Sequence, residues 1–92
     1  MIKSFRHKGL SVSWEHNNGR HLNASWLPKV ARILDALDVA EQPEDMNIPG
    51  FYFHALQGGK AGPYSVRVSG NWRMTFAFDG DDAIRVDLED YH

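Results

Sequence analysis

The sequence predicts an α+β domain, with N-terminal helices packed on one face of a mainly antiparallel, twisted sheet. Three observations carry that expectation. The last third of the chain alternates apolar and polar residues with period two through three successive runs. The middle contains one stretch with apolar residues at helical spacing, Leu27, Val30, Ile33, Leu34 and Leu37. The helical segments come first and the strands follow, the order of an α+β layer arrangement.

The strands are predicted over residues 64–68, 72–78 and 83–88. In all three the even positions are apolar: Tyr64, Val66 and Val68, then Trp72, Met74, Phe76 and Phe78, then Ile84, Val86 and Leu88. The odd positions carry Ser65, Arg67, Arg73, Thr75, Arg85 and Asp87. A three-residue loop, Ser69-Gly70-Asn71, would oppose Val68 to Trp72 and Arg67 to Arg73, keeping both faces clean. Two guanidinium groups set side by side destabilise a sheet unless an anion or an acidic partner lies between them. The polar face is therefore expected to be uncovered, with Arg67, Arg73 and Arg85 facing a negative ligand or paired with Asp87 and Glu89.

Upstream of the sheet, residues 2–6 read as a short edge strand. Residues 9–16 read as a short, weak helix, because Leu10 and Trp14 share a face while Ser11-Val12-Ser13 has poor helix propensity. Asn17-Asn18-Gly19 marks a turn. The main helix is expected to start at Ser25 as N-cap, with Pro28 in its first turn, and to stop by Ala40 ahead of Pro43. Pro43-Glu44-Asp45-Met46 suits one further turn. Residues 51–56, rich in aromatics, read as a fourth strand, and residues 57–63, with Gly58, Gly59 and Gly62, as a mobile surface loop.

Composition narrows the functional classes. The 92 residues suit a single domain, and 42% hydrophobic residues are enough for a core. No cysteine is present, which removes disulfides and thiolate zinc sites. The N-terminus lacks a signal-peptide core and no run is long enough to span a membrane, so a soluble cytoplasmic protein is expected. Net charge is −2, with six acids in residues 79–92 against Arg85 alone. The first 78 residues hold nine Lys/Arg against six Asp/Glu, a net of +3, so a free-standing nucleic-acid binder is not expected.

The histidines do not carry metal-ligand spacing; His7, His16 and His21 read as surface residues. No Gly-x-Ser-x-Gly elbow is present, and Gly58-Gly59-Lys60-Ala61-Gly62 lacks the spacing of a phosphate loop. The remaining chemistry is a set of histidine, carboxylate and arginine. Cleavage of RNA by its own 2′-hydroxyl needs a base, an acid and cations for the charge on the phosphorane. Histidine suits either proton role near neutral pH, and a planar arginine fork fits phosphate. A solvated or salt-bridged arginine face is the competing reading.

Four stretches extend this. The first ten residues, MIKSFRHKGL, then Pro43-Glu44-Asp45-Met46-Asn47-Ile48-Pro49-Gly50, Ser69-Gly70-Asn71-Trp72-Arg73-Met74-Thr75-Phe76 and Glu89-Asp90-Tyr91-His92 together resemble HigB-type toxins of the RelE/ParE toxin–antitoxin superfamily. The resemblance runs over essentially the whole chain, residues 1–92. It implies a RelE-like domain that enters the ribosomal A site and cuts mRNA by 2′-hydroxyl attack, with neither metal nor other cofactor. It also implies a HigA-like helix-turn-helix antitoxin as partner, with a toxin–antitoxin heterotetramer as one expected assembly, and no membrane partner. Carried over residue by residue, it gives His54, Arg73, Asp90, Tyr91 and His92 as catalytic positions. Arg73 would clamp the scissile phosphate, and His92 would act as base or acid with His54 as counterpart. Asp90 would orient a histidine or the 2′-hydroxyl, and Tyr91 would contact a nucleotide.

The departures fall on the substrate-binding side. After His54 the family commonly reads Pro-Leu-Lys-Gly, where this chain has Ala55-Leu56-Gln57-Gly58, and Pro63-Tyr64 replaces a commoner Tyr-Trp. Gln57 removes a cation that would face phosphate, so reduced activity is expected unless Lys60 substitutes for it; Arg67 is the second expected phosphate contact. Residues 11–14 and 23–26 also lack the basic character usual there. The same superfamily includes ParE-like members that bind DNA gyrase and cut no RNA. That noncatalytic reading is the alternative, together with a degenerate toxin that binds only its antitoxin.

Overall fold

Local chemistry sets each helix end. The computed structural model describes residues 1–56 and 63–91. The first helix, α1, covers Lys8–His16. His7 caps it: its Nδ1 accepts a hydrogen bond from the Leu10 amide at 3.2 Å. His7 is thus a half-buried structural residue, which corrects the expectation of a plain surface histidine. The Ser11-Val12-Ser13 run is tolerated because Leu10 is fully buried. Burial of one leucine contributes about 1.5–3 kcal/mol, enough to match or exceed the roughly 1.5 kcal/mol that the three positions together lose in propensity. Asn17, with φ +51°, ends the helix in the left-handed conformation.

The second helix, α2, covers Leu27–Val39 and buries Val30, Ile33, Leu34 and Leu37. Its expected Ser25 cap is not formed. A 3-10 turn, Ala24–Trp26, precedes it, and Asn23 Oδ1 accepts from the Ser25 amide at 3.0 Å and the Ser25 hydroxyl at 2.7 Å. The turn runs directly into α2, which has no side-chain cap of its own; the cap is Asn23, two residues before Ser25, and serves the 3-10 turn. Pro28 lies in the first turn, where its missing N–H is no loss. Pro43–Met46 forms a second 3-10 turn that buries Met46.

The sheet has four strands in the order β1 (His54–Ala55), β2 (Tyr64–Ser69), β3 (Trp72–Asp79) and β4 (Asp82–Asp90), all antiparallel. Both helices pack on its apolar face, where Leu10, Ile33, Leu34 and Leu37 meet Val66, Met74, Phe76, Val86 and Leu88. The opening residues lie along the outer edge of β4 as parallel bridges, Ile2 to Ala83 and Phe5 to Val86. Among the described residues no helix is long and apolar enough to cross a membrane.

Four expectations change. The strand predicted over residues 51–56 shrinks to His54–Ala55, because Tyr52 adopts φ +50° and breaks the extended run. Arg67 does oppose Arg73, but Ser69, not Val68, faces Trp72; a tight Gly70-Asn71 turn and a bulge at Val68 give that register. A second bulge puts Arg85 at φ +54° and inverts the alternation, so Ala83 is in the core while Ile84 faces Ala77 on the other side. The polar face is not uncovered either: Ser65, Thr75 and Ala77 are buried on it. The glycine-rich loop predicted over residues 57–63 lies outside the described residues except for Pro63.

Candidate active site

Cross-strand pairing places two rows of side chains on the polar face, since residues directly opposite each other share a face. One row runs His54, Ser65, Thr75, Asp87; the next runs Arg67, Arg73, Glu89. Arg73 is central. Its Nε donates to Ser65 Oγ at 2.7 Å and its Nη2 donates to the Tyr52 carbonyl. Two directional bonds fix the plane of the guanidinium, as a lysine ammonium could not be fixed. Burial, followed by the neighbouring Arg67 charge, lowers the Arg73 pKa, while Tyr91 raises it. The group remains cationic at neutral pH. Thr75 Oγ1 donates to Glu89 Oε2 at 2.7 Å, holding a half-buried carboxylate on the strand next to Arg73.

Tyr91 continues this face past the end of β4, with its amide donating to the Asn71 carbonyl at 2.8 Å. Its pKa is raised, first by burial, then by Glu89; Arg73 opposes the rise and Asp87 adds to it. The phenol therefore keeps its proton at neutral pH and can donate a hydrogen bond. Arg67 is exposed and lies over the Tyr52 ring, 5.3 Å from its centroid. Arg67 and Arg73, opposite each other in register, both engage Tyr52, one through its ring and the other through its carbonyl, and Arg67 and Asp87 form no ion pair. Among the described residues no group of three His, Asp or Glu side chains is placed to hold a metal ion.

Residues 3–92 match the family described as the RelE-like toxin of type II toxin-antitoxin system HigB. The chain belongs to this family. It is also 37% identical to Endoribonuclease HigB of Proteus vulgaris over 92 residues, which cover all of this chain and all of that relative.

Within this HigB-like domain, the positions singled out from sequence separate into three groups. His54, Arg67, Arg73 and Tyr91 fall on or beside one face, His54 exposed and opposite Ser65. Asp90 pairs in register with Trp72 and so takes the face opposite Arg73 at the end of β4. Gln57, Lys60 and His92 lie outside the described residues. Arg85 is not part of the group; it occupies the β4 bulge, with its amide donating to Ser4 Oγ at 2.9 Å.

The part that Tyr52 plays on this face was not legible in the sequence, and Ser65, Thr75 and Glu89 were legible only as neighbours of the arginines. Period-two alternation puts Ser65 and Thr75 on the arginine face, but it does not show that Ser65 accepts from Arg73 or that Thr75 holds Glu89. Tyr52 has no comparable signal, because its role depends on a backbone conformation that no residue pattern encodes.

Proposed function

We propose that residues 1–92 form the toxin of a type II toxin–antitoxin pair, acting in the cytoplasm as a ribosome-dependent endoribonuclease that cuts mRNA without a metal. The observation that carries this reading is Arg73, oriented by Ser65 and Tyr52 on the polar sheet face of a chain akin to Endoribonuclease HigB. Attack of a 2′-oxygen on the adjacent phosphorus breaks the P–O5′ bond, giving a 2′,3′-cyclic phosphate and a free 5′-hydroxyl. One group must take the 2′-proton and another must protonate O5′. His92 and His54 serve these two steps, with Asp90, on the sheet face opposite His54, orienting His92. Arg73 stabilises the charge on the phosphorane, and Tyr91, still protonated, contacts the nucleotide.

The partner is a HigA-like helix-turn-helix antitoxin, with a toxin–antitoxin heterotetramer as the expected assembly. Growth arrest on induction, relieved by the antitoxin encoded beside the toxin, tests that part. The catalytic part is tested by primer extension on a defined mRNA in a reconstituted translation reaction. Cuts are expected with the wild type, reduced by about 10²–10³-fold in Arg73→Ala, as for loss of one charge-stabilising donor. Equal cutting by wild type, Arg73→Ala and a chain lacking His92 would refute the mechanism. Gln57→Lys restores a phosphate-facing cation and is expected to raise kcat/KM severalfold.

A further inference from the structure

The segment from Gly50 to Tyr52 is tied down by three basic residues in succession. Lys29 Nζ donates to the Gly50 carbonyl at 3.0 Å and lies over the Phe51 ring. The Arg67 backbone amide donates to the Phe51 carbonyl at 2.7 Å. Arg73 Nη2 takes the Tyr52 carbonyl. The result is a tyrosine held at φ +50°, a conformation that costs a non-glycine residue energy and persists only where its surroundings impose it. Its ring is not used in the core. Tyr52 is 61% exposed, one face lies under the Arg67 guanidinium, and Phe51 beside it is buried.

We propose that Tyr52 is a nucleobase platform, on which a base next to the scissile phosphate stacks while Arg67 and Arg73 hold the flanking phosphates. The inference rests on the endoribonuclease reading above and assigns that site a residue for substrate placement. A single-stranded RNA fits better than a peptide for two reasons. An exposed aromatic ring flanked by arginines offers a base both a stacking surface and phosphate contacts within one nucleotide's reach. The platform is also fixed through its own backbone to Arg73, so stacking a base sets the position of the phosphate relative to that guanidinium. The same device explains why the strained conformation is kept: a relaxed, extended Tyr52 would withdraw the carbonyl that orients Arg73.

The test uses the full-length protein and variants Tyr52→Phe, Tyr52→Leu and Tyr52→Ala, with thermal melting to establish that each folds. The probe is a short, 2′-O-methylated single-stranded oligonucleotide, which cannot be cleaved by 2′-attack, followed by anisotropy at low salt. Phe is expected to bind within about twofold of wild type, while Leu and Ala weaken binding about tenfold, the scale of one lost base stack. On ribosome-bound mRNA the same two variants should raise KM more than they lower kcat. Unchanged oligonucleotide binding by Tyr52→Leu overturns the platform, as does absence of wild-type binding. So does a loss in Tyr52→Phe equal to that in Leu, which would assign the role to the hydroxyl. Weakened antitoxin co-purification with unaltered oligonucleotide binding would instead give the ring to a protein partner. A wild type that binds with this Tyr52 dependence but never cleaves would leave the platform standing and refute the nuclease reading alone.

Discussion

Arg73 combines a charge with a direction. Replacing it by lysine keeps the charge but cannot reproduce donors at both Ser65 and Tyr52. Arg73→Lys is expected to fold normally and lose about 10–100-fold in kcat, a result intermediate between wild type and alanine. At Tyr52, glycine removes the left-handed penalty of about 1 kcal/mol but adds a similar amount of unfolded-chain entropy, about 0.5–1 kcal/mol. Tyr52→Gly should therefore leave the urea midpoint nearly unchanged while abolishing the aromatic contact. Tyr91 gives a pH prediction. Its folded pKa lies above the ordinary value of 10.0, so the native state holds the proton more tightly than the unfolded chain does. Its contribution to stability is present below about pH 10 and is lost as pH rises through the folded pKa. A spectrophotometric titration of wild type minus Tyr91→Phe should show this phenol ionising above pH 10, and a midpoint below 10 would contradict the assigned environment. At this scale the sequence made Arg73 legible, through register and resemblance together. Tyr52 stayed hidden because its carbonyl and ring act through a backbone angle.

The elements were mostly legible because their hydrophobic periods are clean. The α2 stripe and the β2–β4 alternation gave the helix, the strands and the helix-covered face. What periodicity could not supply was the pair of bulges, each an added residue that leaves composition unchanged while shifting the faces. For that reason the alternation points Ile84 to the core, whereas Ala83 occupies it. Arg85 at φ +54° tests the geometry. A β-branched residue tolerates that region poorly, so Arg85→Val is expected to cost about 1–2 kcal/mol, whereas Arg85→Gly should be close to neutral. Equal midpoints for the two variants in chemical denaturation would count against the bulge. The short β1 has a similar origin: Phe51 to Leu56 has strand composition, but the tie between Tyr52 and Arg73 outweighs it.

Across the whole molecule, charge and site are arranged in opposition. The polar sheet face gathers Arg67 and Arg73, yet the chain carries a net charge of −2, with six acids in its last fourteen residues. Attraction over distance is therefore weak, and cleavage of naked RNA is expected to be slight at physiological salt. If two phosphates are held at Arg67 and Arg73, log Kd for a single strand should rise with log salt at a slope of about 1.4. A steeper slope would point to cations beyond this pair. The N-terminal bridges along β4 govern something else, the timing of assembly during synthesis. Ser4 and Arg85 are joined across 81 positions of sequence, so the segment around Ser4 has no partner until Arg85 has been made. At about 5–20 residues per second that wait lasts several seconds, during which the sheet edge is open and the Arg73 face is incomplete. A chain truncated before Ala83 is accordingly expected to show no cooperative melting transition. The arginine face is therefore completed only after β4 has been made.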